Sequence, residues 1–254
     1  MKLDPSSNSR ENGKFESPGV YCNLMSTASS ALAGKTSSRI GFWESTVGKK
    51  AVMAVTGAIL FLFVVAHMIG NLQVYLGQEK LDNYAHLLKS IKSLLWGERV
   101  TLLLSVILHI TAATQLGLRN RRARPRAYVK WASAGSTYAS RTMYWSGPIL
   151  LAFIIYHILH FTTGQALGPQ FREGEVYHNM IVGFSFVPAS IAYIIAMLML
   201  GMHLCHGVWS MFQSMGVSHP RYTPLLRKFA VAAAAALVIG NISIPVSVML
   251  GILK

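Results

Sequence analysis

Charge is scarce in this chain. Asp, Glu, Lys and Arg make up 13% of its 254 residues, about half the share of an ordinary globular protein. Acid is scarcer still, with 9 Asp+Glu against 23 Lys+Arg. The shortage excludes a nucleic-acid binder in spite of the formal net charge of +14, because such proteins carry their basic residues on a normally charged, water-facing surface. Cysteine is nearly absent. Cys22 and Cys205 lie in the N-terminal stretch and inside an apolar run, where they cannot meet. Two thiols are also too few for an iron–sulfur cluster, which takes four.

What the chain has instead is apolar length. Hydrophobic residues make up 52% of it, and five stretches hold no charged residue: 51–78, 100–118, 142–171, 176–220 and 229–253. About 20 mostly apolar residues cross a bilayer's hydrocarbon core as a helix. The sequence therefore predicts an all-α membrane protein, a five-helix transmembrane bundle with spans at about 51–76, 99–119, 143–163, 188–213 and 228–252. A soluble protein with five buried helices would lack the polar surface to cover its core. In the fourth stretch, residues 176–188 carry His178 and Asn179 and read as loop and helix start. Residues 1–38, rich in Ser, Gly and Asn and without an apolar core, read as a disordered cytoplasmic tail rather than a secretory signal. The membrane domain is expected over 39–254.

Lys and Arg in short connections set orientation. One side carries Lys35, Arg39, Lys49 and Lys50, then Arg119, Arg121, Arg122, Arg124, Arg126, Lys130 and Arg141, and finally Arg221, Arg227 and Lys228. The other carries Lys80, Lys89, Lys92, Arg99, Arg172 and Lys254. The first side is the more basic, which puts the N-terminus in the cytoplasm and the C-terminus outside.

No Asp or Glu lies in any span, but six histidines do: His67, His109, His157, His160, His203 and His206. Ionisable groups in hydrocarbon are costly and mark function. One membrane histidine is readily explained by an interhelical hydrogen bond; histidines on four helices are not. At a rise of 1.5 Å per residue, His67 lies about 25 Å from Lys50 and His157 about 24 Å from Arg141. His109 lies about 15 Å from Arg119, and His203 about 15 Å from the end of its span near Gln213. The four fall into two layers roughly 10 Å apart, two to a layer. Two neutral imidazoles facing each other across a bundle are how a protein holds a six-coordinate haem, an electron-transfer centre with no open site. Zinc or copper would want its ligands at one level, often with Cys or carboxylate.

The stretch from Arg39 to Gln213 resembles the di-haem cytochrome b membrane anchor of succinate:quinone oxidoreductases, the group with five spans in one subunit. The resemblance rests on TGAILFLFVVAHMIGNL around His67, SVILHITAATQLGLR around His109, LLAFIIYHILH around His157 and MHLCHGVWSMFQ around His203. In the last, Gly207, Val208 and Trp209 follow the histidine as the family's pattern has them. The resemblance implies that His67, His109, His157 and His203 ligate two stacked b haems, that His160 and His206 do not, and that the pairs are His67/His157 far from the cytoplasm and His109/His203 near it. It also implies flavoprotein and iron–sulfur partner subunits on the cytoplasmic face of a bacterial inner membrane. Electrons would pass from succinate through the iron–sulfur subunit and the two haems to a quinone, menaquinone for this type, in the tricarboxylic acid cycle and respiratory chain. Fumarate reductases of this type can carry a Glu two residues before the fourth-span ligand. Gly201 stands there, which points to the succinate-oxidising direction.

Supporting positions follow. Haem propionates need cationic or hydrogen-bonding partners at the membrane edge, and Ser45, Lys49 and Arg141 stand there. Gly57, Gly117, Gly147 and Gly201 could admit a porphyrin edge or a packed helix. A quinone needs hydrogen-bond partners and a proton source near water, and Asn71, Gln73, Glu79, Asp82 and His86 follow His67 at the outer side. Tyr75 and Trp96 fit the interfacial aromatic belt. Two rival readings are a cytochrome b anchor of another quinone-linked dehydrogenase, such as hydrogenase or nitrate reductase, and a proton-coupled transporter. The transporter would be colourless.

Overall fold

Each charge-free stretch supplies one long helix, and four of the five helices begin before the stretch does. The structure, a computed structural model, describes residues 41–123 and 138–254. The expected tail 1–38, and Arg39, Arg124, Arg126 and Lys130, lie outside the described residues. The chain divides into Met1–Gly41 and Phe42–Lys254, and every described helix belongs to the second unit.

Helix α1, Thr46–Asn71, continues as a 3-10 turn over Leu72–Leu76. Ser45 starts it: its hydroxyl accepts from the Gly48 amide at 2.8 Å and donates to the Phe42 carbonyl at 2.9 Å, a side-chain cap on otherwise unpaired amides. Gly77, at φ 96°, breaks the chain into a short helix α2, Gln78–Ser90. Helix α3, Lys92–Arg122, returns, and Arg119, Arg121 and Arg122 close its last turn, where cations suit the helix dipole. Helix α4, Tyr138–His157, contains Pro148 and opens into a π turn over Ile158–Thr162. A second short helix, α5, Val176–Ser185, occupies the stretch expected as loop and helix start. Helix α6, Val187–Ser214, follows immediately with Pro188 in its first turn, the place where proline's missing N–H costs nothing. Helix α7, Thr223–Met249, ends the fold. No strand occurs among the described residues.

Five segments, Thr46–Leu76, Lys92–Arg122, Ser140–Thr162, Val187–Ser214 and Thr223–Met249, are long and apolar enough to cross a bilayer. Each shows a large apolar side chain more than half exposed: Leu62, Leu103, Ile155, Ile195 and Ile239. In water such faces would aggregate; in lipid they are solvated. The chain is a multi-pass membrane protein.

Helix direction sorts the two ends. Lys50, Arg119, Arg121, Arg122, Arg141, Arg221, Arg227 and Lys228 gather at one, the basic end. Helices α2 and α5 and the C-terminal Lys254 lie at the other. Within the bundle α3 packs on α1, α1 on α6, α6 on α4, and α7 on α6. Helices α3 and α4 meet at the basic end, where Arg121 lies over the Tyr144 ring at 4.9 Å. The α6–α7 seam is close: a Cβ on Gly201 would press Val238 at 2.6 Å, and Leu204, Val208, Ala230, Ala234 and Leu237 bury there. A second core at the opposite end joins Val74 and Leu81 to Met180, Phe184, Tyr193, Ile244 and Val248.

Candidate functional site

Two pairs of histidines face each other inside the bundle. His109 of α3 and His203 of α6 have ring centres 6.3 Å apart. Nearer the opposite end, His67 of α1 and His157 of α4 have centres 5.7 Å apart. In each pair the two helices do not pack extensively on one another, so the imidazoles reach across from opposite corners of the four-helix arrangement.

Hydroxyl groups hold three of the four rings by the same atom. Thr56 Oγ1 lies 3.2 Å from His109 Nδ1 and 2.7 Å from the Val52 carbonyl. The carbonyl takes the hydroxyl proton, so the Thr56 oxygen must accept from His109 Nδ1–H, leaving the lone pair on Nε2. Ser146 Oγ, fully buried, lies 3.2 Å from His203 Nδ1. The Tyr193 phenol lies 3.1 Å from His157 Nδ1 and 3.2 Å from His160 Nδ1. His67 stacks on Phe63 at 5.2 Å. Anchoring one imidazole nitrogen so that the other is presented, oriented and unprotonated, is the usual support of a metal-binding histidine.

The donor set can be tested against the group the sequence implies. At a metal–imidazole distance of about 2.0–2.1 Å, two rings sharing one metal have centres about 6 Å apart, close to both separations seen. The histidines come in twos: among the described residues no three of His, Cys, Asp and Glu gather as a metal site. A tetrahedral zinc site wants four such ligands in one place, whereas a haem iron with four porphyrin nitrogens wants two axial ones. The residues fit two haems.

Helical spacing gives the distance between layers. Thr56 precedes His67 by eleven residues and Ser146 precedes His157 by eleven, three turns on one face and about 16 Å of rise. The layers are thus wider apart than the roughly 10 Å the charges suggested. Arg119 is the reason. Its guanidinium donates to the Glu44 carbonyl at 2.6 Å, so it stands level with the start of α1 and not with Lys50.

The supporting candidates disperse. Ser45 is spent on capping α1. Lys49 is buried, 3% exposed, with Nζ 2.6 Å from the Trp43 carbonyl and over the Trp43 ring at 5.5 Å. Arg141 is exposed and lies over Tyr138. A recess of about 440 Å³ opens between α1 and α6 at the basic end, lined by Val47, Lys50, Met53, Ser210, Gln213 and Ser214; sequence reasoning passed over Lys50 as a topology charge. Among the glycines, Gly57 lies beside the His109 ring, Gly117 beside Tyr144, and Gly201 serves the α6–α7 seam. Nothing lies within 4 Å of a Cβ built on Gly147.

At the opposite end, Asn71 and Gln73 are half-buried, and Glu79 and His86 are exposed. His86 lies against Gly174. Asp82 accepts from the Tyr177 amide at 2.9 Å and so caps α5. Among the described residues it alone of these five makes a side-chain hydrogen bond.

Thr56, Ser146 and Tyr193 were not among the expected site residues. A signal existed for two of them, a hydroxyl residue eleven positions before a span histidine in both α1 and α4.

A helical bundle with lipid-facing sides, crossed internally by two facing histidine pairs, defines the class as a multi-pass membrane protein. Residues 118–240, from the end of α3 into α7, match the family described as succinate dehydrogenase/fumarate reductase transmembrane subunit. The matched stretch contains Ser146, His157, Tyr193 and His203; His67 and His109 precede it. No curated protein and no solved structure matches the chain.

Proposed function

We propose that this chain is a succinate dehydrogenase/fumarate reductase membrane subunit and that it binds two b haems, through His109 with His203 near the basic end and His67 with His157 further in. When bound, the haems would supply a one-electron path across the bilayer between an iron–sulfur subunit and a quinone. The observation that carries this reading is the pair of cross-bundle imidazole separations, 5.7 and 6.3 Å.

The chain's own residues do the rest. Thr56, Ser146 and Tyr193 hold Nδ1 of three ligands, which keeps Nε2 available and the rings from turning. Lys49 stands seven residues, two turns, before Thr56 on the same face of α1, with one carbonyl partner and no carboxylate in ion-pair range among the described residues. A buried ammonium with no carboxylate in direct contact is costly, and a haem propionate would supply one. Lys50, beside Ser210 and Gln213 in the neighbouring recess, offers a second cation, and Arg141 a third.

The basic end faces the cytoplasm of a bacterial inner membrane and docks the iron–sulfur subunit, which carries the flavoprotein. The C-terminus is outside. The quinone, menaquinone in this reading, binds at the outer end, where Asn71 and Gln73 offer hydrogen bonds and Glu79 and His86 meet water. Asp82 contributes by fixing α5. Gly201 abuts Val238, so a carboxylate at that position would press on α7, which favours the succinate-oxidising direction.

A reduced-minus-oxidised absorbance spectrum, with extraction of haem per chain, tests the reading. Two b haems per chain are expected. A colourless protein would point to the transporter alternative, and a single haem would remove one of the two pairs.

A further inference from the structure

His157 ends α4 and His160 lies three residues on, in the π turn that follows, and both are inside the bundle. His160 is the more deeply buried, 2% exposed, stacked on Tyr156 at 5.2 Å and packed on Phe161 at 4.2 Å. Helix α5 closes over it, with Gly183 so near that a Cβ there would meet His160 Cε1 at 3.0 Å. What makes one of these histidines a ligand and the other not is the Tyr193 phenol between them. Tyr193 is 6% exposed and fixed by the rings of Phe153, Tyr156, Phe161 and Phe184. Its oxygen is 3.1 Å from His157 Nδ1 and 3.2 Å from His160 Nδ1.

A neutral phenol has one proton to give, and a neutral imidazole has one N–H and one lone pair. The two Nδ1 atoms therefore cannot both accept from Tyr193. Among the described residues, the phenol proton has no acceptor other than these two nitrogens. The arrangement that pairs the phenol with both Nδ1 atoms has one histidine donating to the phenol and the phenol donating to the other. A histidine that binds metal through Nε2 must carry its proton on Nδ1, so His157 is the donor. His160 then receives the phenol proton at Nδ1 and keeps its own on Nε2, where it cannot ligate.

We propose that Tyr193 is the tautomer-setting residue of the inner pair: it holds His157 with Nε2 unprotonated and His160 with Nε2 protonated, and His160 in turn orients the phenol. Tyr193 is a positioning residue, acting through His157. This rests on the haem reading above. A hydrogen-bond acceptor on Nδ1–H strengthens the imidazole as a donor and favours the oxidised iron, so losing it raises the reduction potential.

The test uses the complete membrane complex, with haem content, redox titration of each haem and the electron paramagnetic resonance of the oxidised haems as readouts. In Tyr193→Phe both haems remain. The inner haem's potential rises and its resonance moves, while the basic-end haem stays at wild-type values. In His160→Leu the phenol loses its acceptor but still receives the His157 proton, so the inner potential shifts the same way by less. In His160→Gln the side-chain carbonyl accepts the phenol proton and restores wild-type behaviour. An unchanged inner haem in Tyr193→Phe, or equal shifts in both haems, overturns the proposal. If that variant does not assemble, His160→Leu decides alone: a shift confined to the inner haem supports the tyrosine's role, and none overturns it. Failure of the underlying haem reading is separate, since it shows as missing haem in the wild-type complex before any substitution is made.

Discussion

The two histidine pairs are built differently. At the basic end both rings are held by small aliphatic hydroxyls, Thr56 on His109 and Ser146 on His203, each sent from a helix that carries an inner-pair histidine. Further in, His157 shares a phenol with a second histidine, and His67 is steadied by Phe63. The half around the inner pair is crowded with aromatic rings, whereas the half nearer the basic end draws its packing from the aliphatic α6–α7 seam. A hydroxyl whose proton is already committed to its own helix, as in Thr56, imposes one tautomer and tolerates little else. A phenol between two imidazoles imposes a tautomer only as a set of three. The inner pair is therefore the one whose properties depend on residues that are not ligands.

The strongest way to break the comparison is to remove a ligand. His109→Leu or His203→Leu is expected to abolish one haem, His67→Leu or His157→Leu the other, with haem per chain falling from two to one in every case. Identical spectra for the remaining haem in His67 and His109 variants would contradict the pairing. His160→Leu and His206→Leu keep both haems. A smaller effect is expected from the hydroxyls. Thr56→Val keeps the shape and loses the acceptor, and Ser146→Ala leaves His203 Nδ1 unpaired. Removing such an outer partner weakens metal binding about 10- to 100-fold, which a haem-binding titration in detergent would show at the basic-end pair while the inner pair holds.

The architecture was legible because the bilayer constrains sequence so strongly: a run without charge long enough to span is a helix, and all five runs are. The helix ends were not. The runs stop at the first charged residue, whereas α1 begins at Thr46, before Lys49 and Lys50, and α3 carries on through Arg119 to Arg122, since lysine and arginine stems lie along a helix while their heads reach water. The facing histidines were legible from depth, because two spans must place their rings at one height to meet. Their hydrogen-bond partners were harder. Thr56 and Tyr193 come from helices other than those of the rings they touch, and only packing brings them together. Ser45, one of the basic-end candidates, is a serine before a helix, and its hydroxyl proton, the one a propionate contact would need, goes to the Phe42 carbonyl. Helices α2 and α5 are short, and α2 is largely polar, so neither carries the span signal.

Asp82 offers the smallest effect and the finest discrimination. It was expected among the quinone-region residues, and its carboxylate instead receives the Tyr177 amide at the start of α5, where an anion also meets the positive end of the helix dipole. Helix α5 in turn closes over His160 through Gly183, two hydrogen bonds from His157. Losing a cap of this kind costs about 0.5–2 kcal/mol. Asp82→Ala is therefore expected to lower the temperature at which the inner haem's absorbance is lost by a few degrees and to leave the basic-end haem's transition where it was, because nothing in α5 supports Thr56 or Ser146. A quinone-binding role for Asp82 makes the opposite prediction: quinone affinity falls and both thermal transitions stay put. Heating the variant while following the two haems separately tells these apart, and a shift confined to the inner haem would tie that pair's stability to a helix cap outside the membrane core.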